Sequence, residues 1–168
     1  MISQATKLEH LVEQAGNFAP LRVAVVGAAQ PVLIETLHAA HDLGFVEPRL
    51  LGEPDGIARL CKEADWDVPQ SWIIPAVTDE MAARTSVDLV HGGEVEAVMK
   101  GLIHTDILMR ALLDSERGLR IPGQRVSHVF VTEVKTYSKL LGITDAAINI
   151  SPNLIAKSQI LQNAVDLF

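Results

Sequence analysis

Between Leu21 and Gly27 the chain reads LRVAVVG, a nearly unbroken apolar run rich in β-branched residues. Branched side chains suit a pleated strand, and a run without polar alternation marks a strand covered on both faces. Such a strand belongs to a largely parallel sheet with helices on each side, because parallel neighbours are joined by crossovers that bring helices over the faces. The rest of the chain supplies those crossovers. Pro31 opens a helix whose buried stripe is Leu33, Ile34, Leu37 and Ala40 and which closes at Gly44. A strand over Pro48 to Leu51, a helix from Asp55 to Ala64 and a strand over Trp72 to Pro75 follow. Thr78 begins another helix, with Asp79 and Glu80 against its positive end and Gly92 and Gly93 terminating it. AVMKG is then a short strand, and LIHTDILMRALL is a loop entering a helix.

The two ends of the chain are less regular. Residues 1–20 are a helical lead-in, with a helix over Ser3 to Ala15 that puts Leu8, Leu11, Val12 and Ala15 on one face. VSHVFVTEV and LLGITDAAINI are two extended segments close enough to pair as a hairpin or at a sheet edge. PNLIAKSQILQNAVDLF spaces Leu154, Ile155, Ile160, Leu161, Ala164, Val165 and Phe168 as a helix. A length of 168 residues, 48% hydrophobic, suits one α/β unit spanning 1–168 rather than two developed domains.

Charge and cysteine content exclude several classes of function. A net charge of −7 argues against nucleic acid, whose phosphates require clustered Lys and Arg. No apolar run approaches the roughly 20 residues of a membrane span, and the first residues lack a secretory pattern. The lone Cys61 fits a small core residue in a reducing, cytoplasmic setting. VVGAAQ has one glycine where a dinucleotide fingerprint needs three, and neither a P-loop nor a serine-hydrolase elbow is present. The six histidines are too dispersed for a metal centre, so no metal and no bound cofactor are expected. His38 and His41, three apart on one helix, read as surface or cap residues.

The connection from Met99 to Thr105 carries the chemistry. Ligands of open α/β sheets bind where strands end and helices begin. Here Lys100 offers a mobile charge, Gly101 lets backbone approach a ligand, and His104 and Thr105 bring a titratable donor and a hydroxyl to a helix start that attracts anions. Asp106 competes for the same helix end. Residues 100–139 hold seven of the 14 basic residues against four acidic ones, a local +3 that suits a small multiply charged anion or, for Arg117, Arg120 and Lys139, a solvated surface.

The strings MKGLIHTD, RVSHVFV, ITDAAINISP and QNAVDL, in this order, resemble the phosphate acetyltransferase and phosphate butyryltransferase family, with the match running over 21–168. The resemblance implies an isocitrate/isopropylmalate dehydrogenase-like fold of two lobes around a cleft, and a homodimer. It implies an enzyme that transfers an acyl group reversibly between coenzyme A and inorganic phosphate through acyl phosphate, with coenzyme A a substrate rather than a cofactor. Carried onto this sequence, Lys100, Gly101, His104 and Thr105 line the phosphate end. Arg110 lies one residue closer than the arginine of the acetyltransferase branch, and Ser127, Asp145 and Asn149 come to the same cleft or serve as strand-end hydrogen-bonding groups. The resemblance places this chain at the N-terminal portion of the family, with the acyl-orienting and thiol-deprotonating residues beyond Phe168. Low or absent turnover is the expectation for the chain alone. A non-catalytic phosphate-binding or dimerisation module of the same fold is the second reading, and a phosphorylated-substrate dehydrogenase or carrier-protein acyltransferase a third.

Overall fold

The protein, seen in a computed structural model, is described over residues 5–168, and Ser3 and Gln4 of the expected first helix lie outside the described residues. Where length alone suggests one unit, the chain divides into two compact ones: Phe18–Leu119, and Arg120–Phe168 together with the described residues up to Asn17.

The first unit is built on β1 (Leu21–Val26), α2 (Pro31–Asp42), β2 (Val46–Gly52), α3 (Pro54–Glu63), β3 (Ile73–Pro75), α4 (Asp79–His91), β4 (Ala97–Lys100) and α5 (Thr105–Leu112). All four strands are parallel, in the order β3-β2-β1-β4. The continuous apolar run of β1 has the expected reason. Val23 and Val25 point into a core shared with Ile34, Leu37, Ile57 and Trp66, while Ala24 and Val26 point into another with Ala82, Ala83, Leu89 and Leu108. Alternate residues of one strand thus feed two layers of helices, α2 and α3 on one face and α4 and α5 on the other.

Strand β2 starts two residues earlier than expected, so Pro48 lies inside it, opposite Val23. Strand β3 pairs only from Leu50 onward, so β2 has a single neighbour at Pro48 and a missing N–H is tolerated there. Cys61 is 2% exposed in the core, and burial pushes its thiol pKa up, as suits a packing residue. His38 and His41 are not the surface groups expected. His38 stacks on Trp66 at 5.2 Å, and His41 meets Trp72 edge-on at 5.1 Å while its Nδ1 lies 3.1 Å from the Val46 carbonyl. Thr78 caps α4, its hydroxyl accepting the Met81 N–H at 3.1 Å. Replacing it with alanine is expected to cost about 1 kcal/mol in a urea titration, and no measurable loss would mean that the cap is redundant.

The second unit contains α1 (Leu8–Ala15), β5 (Phe130–Thr132), β6 (Leu141–Ile143) and α6 (Leu154–Leu167). The two extended segments do pair, antiparallel, but over three residues each and apart from the parallel sheet. Before Phe130 and after Ile143 the ladder gives way to Asp145, which takes the amides of His128, Ala147, Ile148 and Asn149. Helix α1 buries none of the face expected of it, and its first amide, that of Leu8, is bound by Glu133 at 3.0 Å. In α6 the buried residues are Ala156 and Ile160, whereas Leu154, Ile155, Leu161 and Val165 are exposed. Two of its polar residues bind the rest of the unit: Gln159 donates to the Gly123 carbonyl, and Asn163 to the Arg125 carbonyl and the Ser127 hydroxyl.

Candidate functional site

The chain leaves β3 and crosses back over the sheet to place β4 on the far side of β1. The direction of the strand order therefore changes between β1 and β4, and their carboxyl ends frame the crevice where ligands of such sheets bind. Val26 and Lys100 are register partners at that edge. Beyond them the two connections are bound together, the Gly101 amide to the Val26 carbonyl and the Leu102 amide to the Gly27 carbonyl, both at 2.8 Å. Only glycines allow this approach. A Cβ on Gly101 would stand 2.4 Å from the Gly27 oxygen, and a Cβ on Gly27, whose φ is +75°, would stand 2.4 Å from the Leu102 oxygen.

Buried Ile103 anchors the connection from below, and His104 occupies the N-cap position of α5 with an extended backbone. Its side chain makes no capping bond, so the first-turn amides are left to other partners. Lys100, Gly101, Leu102, Ile103, His104 and Asp79 line a crevice of about 280 Å³. Lys100 and His104 therefore line one cavity. Lys100 is exposed, and among the described residues its ammonium reaches only the Gly101 carbonyl, at 3.4 Å. Thr105 opens the helix beside the crevice.

Two of the expected competitors and helpers behave differently. The Asp106 carboxylate, which sequence sets against an anion at the helix end, pairs with Arg110 at 3.0 Å one turn along. Arg110 in turn lines a separate groove of about 400 Å³ between α4 and α5, with Glu80, Met81, Arg84 and Asp114. The structure does not bring Arg110 into the cavity of Lys100 and His104. A helical residue five positions past Thr105 has rotated away from the helix mouth and lies over a turn farther along the axis. Sequence reasoning missed Asp79 as a crevice residue. The signal was present, since every helix of a parallel sheet starts at the carboxyl edge and Asp79 is the first residue of α4. A larger concavity, about 520 Å³, lies between the end of α3 and the start of β3, at the amino edge of the sheet. It holds Asp65, Asp67 and a single lysine, a poorer match to an anion.

Ser127, Asp145 and Asn149 form one network in the other unit. Asp145 accepts the amides of His128, Ala147, Ile148 and Asn149 and the side-chain amide of Asn149. Asn149 also donates to the Val126 carbonyl and accepts from Arg125 at 2.9 Å. Both side-chain amide hydrogens and the Oδ1 of Asn149 thus have partners, which favours holding the turn over touching a ligand. Ser127 accepts from Asn163 at 2.8 Å and keeps its hydroxyl proton free to donate. Desolvation pushes the Asp145 carboxyl up, but donation from the Asn149 side chain and from the amides of Ala147, Ile148 and Asn149 outweighs it and lowers the pKa to about 2. Among the described residues no cluster of three or more His, Cys, Asp or Glu is placed to hold a metal, and no helix is long and apolar enough to cross a membrane.

No protein-family model matches the chain. It is 38% identical over 158 residues to the phosphate acetyltransferase of Rickettsia typhi, covering 94% of this chain and 45% of that protein. It is 35% identical over 144 residues to the phosphate butyryltransferase of Clostridium acetobutylicum, covering 86% and 48%. Its fold matches a phosphotransacetylase from Streptococcus pyogenes with a TM-score of 0.74 at 18% identity, over 95% of this chain and 56% of that one. The chain spans about half the length of the relatives it matches. Over nearly all of its own length, the chain is homologous to the phosphate acetyltransferases and phosphate butyryltransferases.

Proposed function

We propose that the chain carries the phosphate-binding part of a phosphate acyltransferase of the acetyl or butyryl type, which moves an acyl group reversibly between coenzyme A and inorganic phosphate by way of acyl phosphate. The observation that carries this reading is Lys100 and His104 lining one crevice at the carboxyl ends of β1 and β4, in a chain 38% identical to a phosphate acetyltransferase. In that reaction the thiolate of coenzyme A attacks the acyl phosphate carbonyl and phosphate leaves. Both reactants are anions, so holding them together against repulsion is the main task of the site. Lys100 neutralises the leaving phosphate, the Gly101 backbone lets it approach, Thr105 offers a hydroxyl, and His104 donates to a phosphoryl oxygen as charge builds there. Ser127, Asp145 and Asn149 belong to the substrate-binding set of the same reading, Asp145 and Asn149 through the turn they hold.

The same reading takes the fold to be of the isocitrate/isopropylmalate dehydrogenase-like kind and the protein to be a cytoplasmic homodimer. It assigns no metal or bound cofactor. In a phosphate titration followed by nuclear magnetic resonance, Lys100→Ala and His104→Ala are each expected to weaken binding by about tenfold, the effect of one charge-assisted hydrogen bond, with the fold unchanged. Unaltered binding in both variants would remove the site assignment. A thiol-release assay with acyl coenzyme A and phosphate separates the two functional readings. Thiol release by this chain, or by a version extended to the length of its relatives, supports the acyltransferase, whereas phosphate binding with no thiol release from either favours a non-catalytic module of the same fold.

A further inference from the structure

The crevice contains a carboxylate that anion binding by itself does not call for. Asp79 is half-buried, lines the same cavity as Lys100 and His104, and among the described residues enters no ion pair and no side-chain hydrogen bond. It stands at the favourable positive end of α4, but the cap itself is Thr78, which binds the Met81 amide. Its neighbour Glu80 belongs to the groove between α4 and α5, so Asp79 is the one acidic lining residue of this cavity. Among the described residues Lys100 forms no ion pair with it: the ammonium donates to the Gly101 carbonyl, although both side chains line the same cavity of about 280 Å³.

A lysine and a carboxylate that face a shared space unpaired define what can fill it. The guest must present an acceptor to the ammonium and a hydrogen to the carboxylate, since Lys is a donor only and ionised Asp an acceptor only. A fully ionised oxyanion meets Asp79 as acceptor against acceptor and like charge against like charge. Inorganic phosphate at neutral pH retains a proton on every molecule, whereas sulfate, of nearly the same size and shape, retains none. A single carboxylate beside a lysine is also a poor cation site, because hard cations take several oxygen ligands.

We propose that Asp79 accepts the hydrogen bond of a protonated oxyanion held by Lys100 and so makes the crevice select inorganic phosphate against sulfate. The inference rests on the phosphate-binding reading above and adds to it the basis of selection. Attraction comes from Lys100, and rejection of the unprotonated competitor comes from Asp79, the repulsive element that specificity requires beside the attractive one.

The test is a pair of titrations of the 168-residue chain at matched ionic strength, one with sodium phosphate and one with sodium sulfate, reading the amide resonances of Gly101, Leu102 and Ile103. The unmodified chain is expected to bind phosphate in preference to sulfate. Asp79→Asn can donate to either anion and should narrow that preference by about 10- to 100-fold, the range for a hydrogen bond to a charged group. Asp79→Ala, which removes the acceptor without adding a donor, should narrow it as well, and far-UV circular dichroism verifies that both variants fold. Equal affinity of the unmodified chain for the two anions overturns the inference. So does an unchanged preference in both Asp79 variants while Lys100→Ala still weakens phosphate binding, and that outcome leaves the phosphate-binding reading standing. Phosphate binding that is absent, or indifferent to Lys100→Ala, removes the reading itself and Asp79's role with it.

Discussion

Gly27→Ala is expected to lower the stability of the parallel-sheet unit by about 3 kcal/mol, the sum of a left-handed backbone cost and an overpacking cost. Gly27 has a φ of +75°, and an added Cβ would lie 2.4 Å from the oxygen, 2.7 Å from the carbon and 3.1 Å from the nitrogen of Leu102. None of these atoms ends a flexible side chain. They belong to the connection that carries Lys100 into His104, so relief of the clash has to move the crevice. Gly101→Ala tests the other side of the same contact, where the Gly27 and Val26 oxygens would lie 2.4 and 2.9 Å from the new carbon. Both tryptophans, Trp66 and Trp72, are in this unit, so fluorescence-detected urea unfolding reports on it directly. A loss below about 1 kcal/mol for both variants would show that the two connections separate at little cost. A stable variant that loses phosphate binding would instead tie the close approach to the site alone.

Acidification is expected to loosen the second unit in a defined window. The Asp145 carboxyl titrates at about 2 in the folded chain against an ordinary 3.8, because the Asn149 side chain and three backbone amides favour its charged form more than desolvation disfavours it. A group whose folded pKa is depressed contributes stability above its unfolded pKa and loses that contribution as pH falls through the folded value. The loss should therefore begin near pH 4 and be complete near pH 2, with little pH dependence from this group at neutrality. Asp145→Asn retains the shape and removes the charge. At neutral pH it should speed hydrogen exchange of the Ala147, Ile148 and Asn149 amides by about tenfold. The acid-induced decrease in melting temperature should shrink in the same variant. If the variant loses as much stability as the original chain between pH 4 and 2, other carboxylates control acid sensitivity.

The parallel sheet was legible in the sequence because its evidence is local. LRVAVVG reads as a doubly covered strand from its β-branched residues and closing glycine, Pro31 and Thr78 open helices, and Gly92 and Gly93 follow the end of one. Each of these signals needs only a few neighbouring residues. The second unit was less legible because its stability comes from side chains bonding to distant backbone. Asp145 binding the His128 amide and Asn163 holding the Arg125 carbonyl join positions far apart in the chain, and no periodicity announces them. Propensity alone therefore drew β5 and β6 too long.

That Lys100, Gly101 and His104 stand together at the carboxyl edge of the sheet could be read from order alone, since they follow a strand and precede a helix. Arg110 shows the limit of that method. It is near Lys100 in sequence, yet its helix turns it into another groove, where Asp106 binds it. Asp79 shows the converse, being 21 positions from Lys100 yet lining the same crevice. The sequence by itself determined the strands, the helices and the loop that bears the lysine, because hydrophobic pattern and turn chemistry act over a few residues. Only the tertiary structure decided which charges share a cavity, because that depends on the crossover from β3 to β4 and on two glycines allowing separate connections to touch.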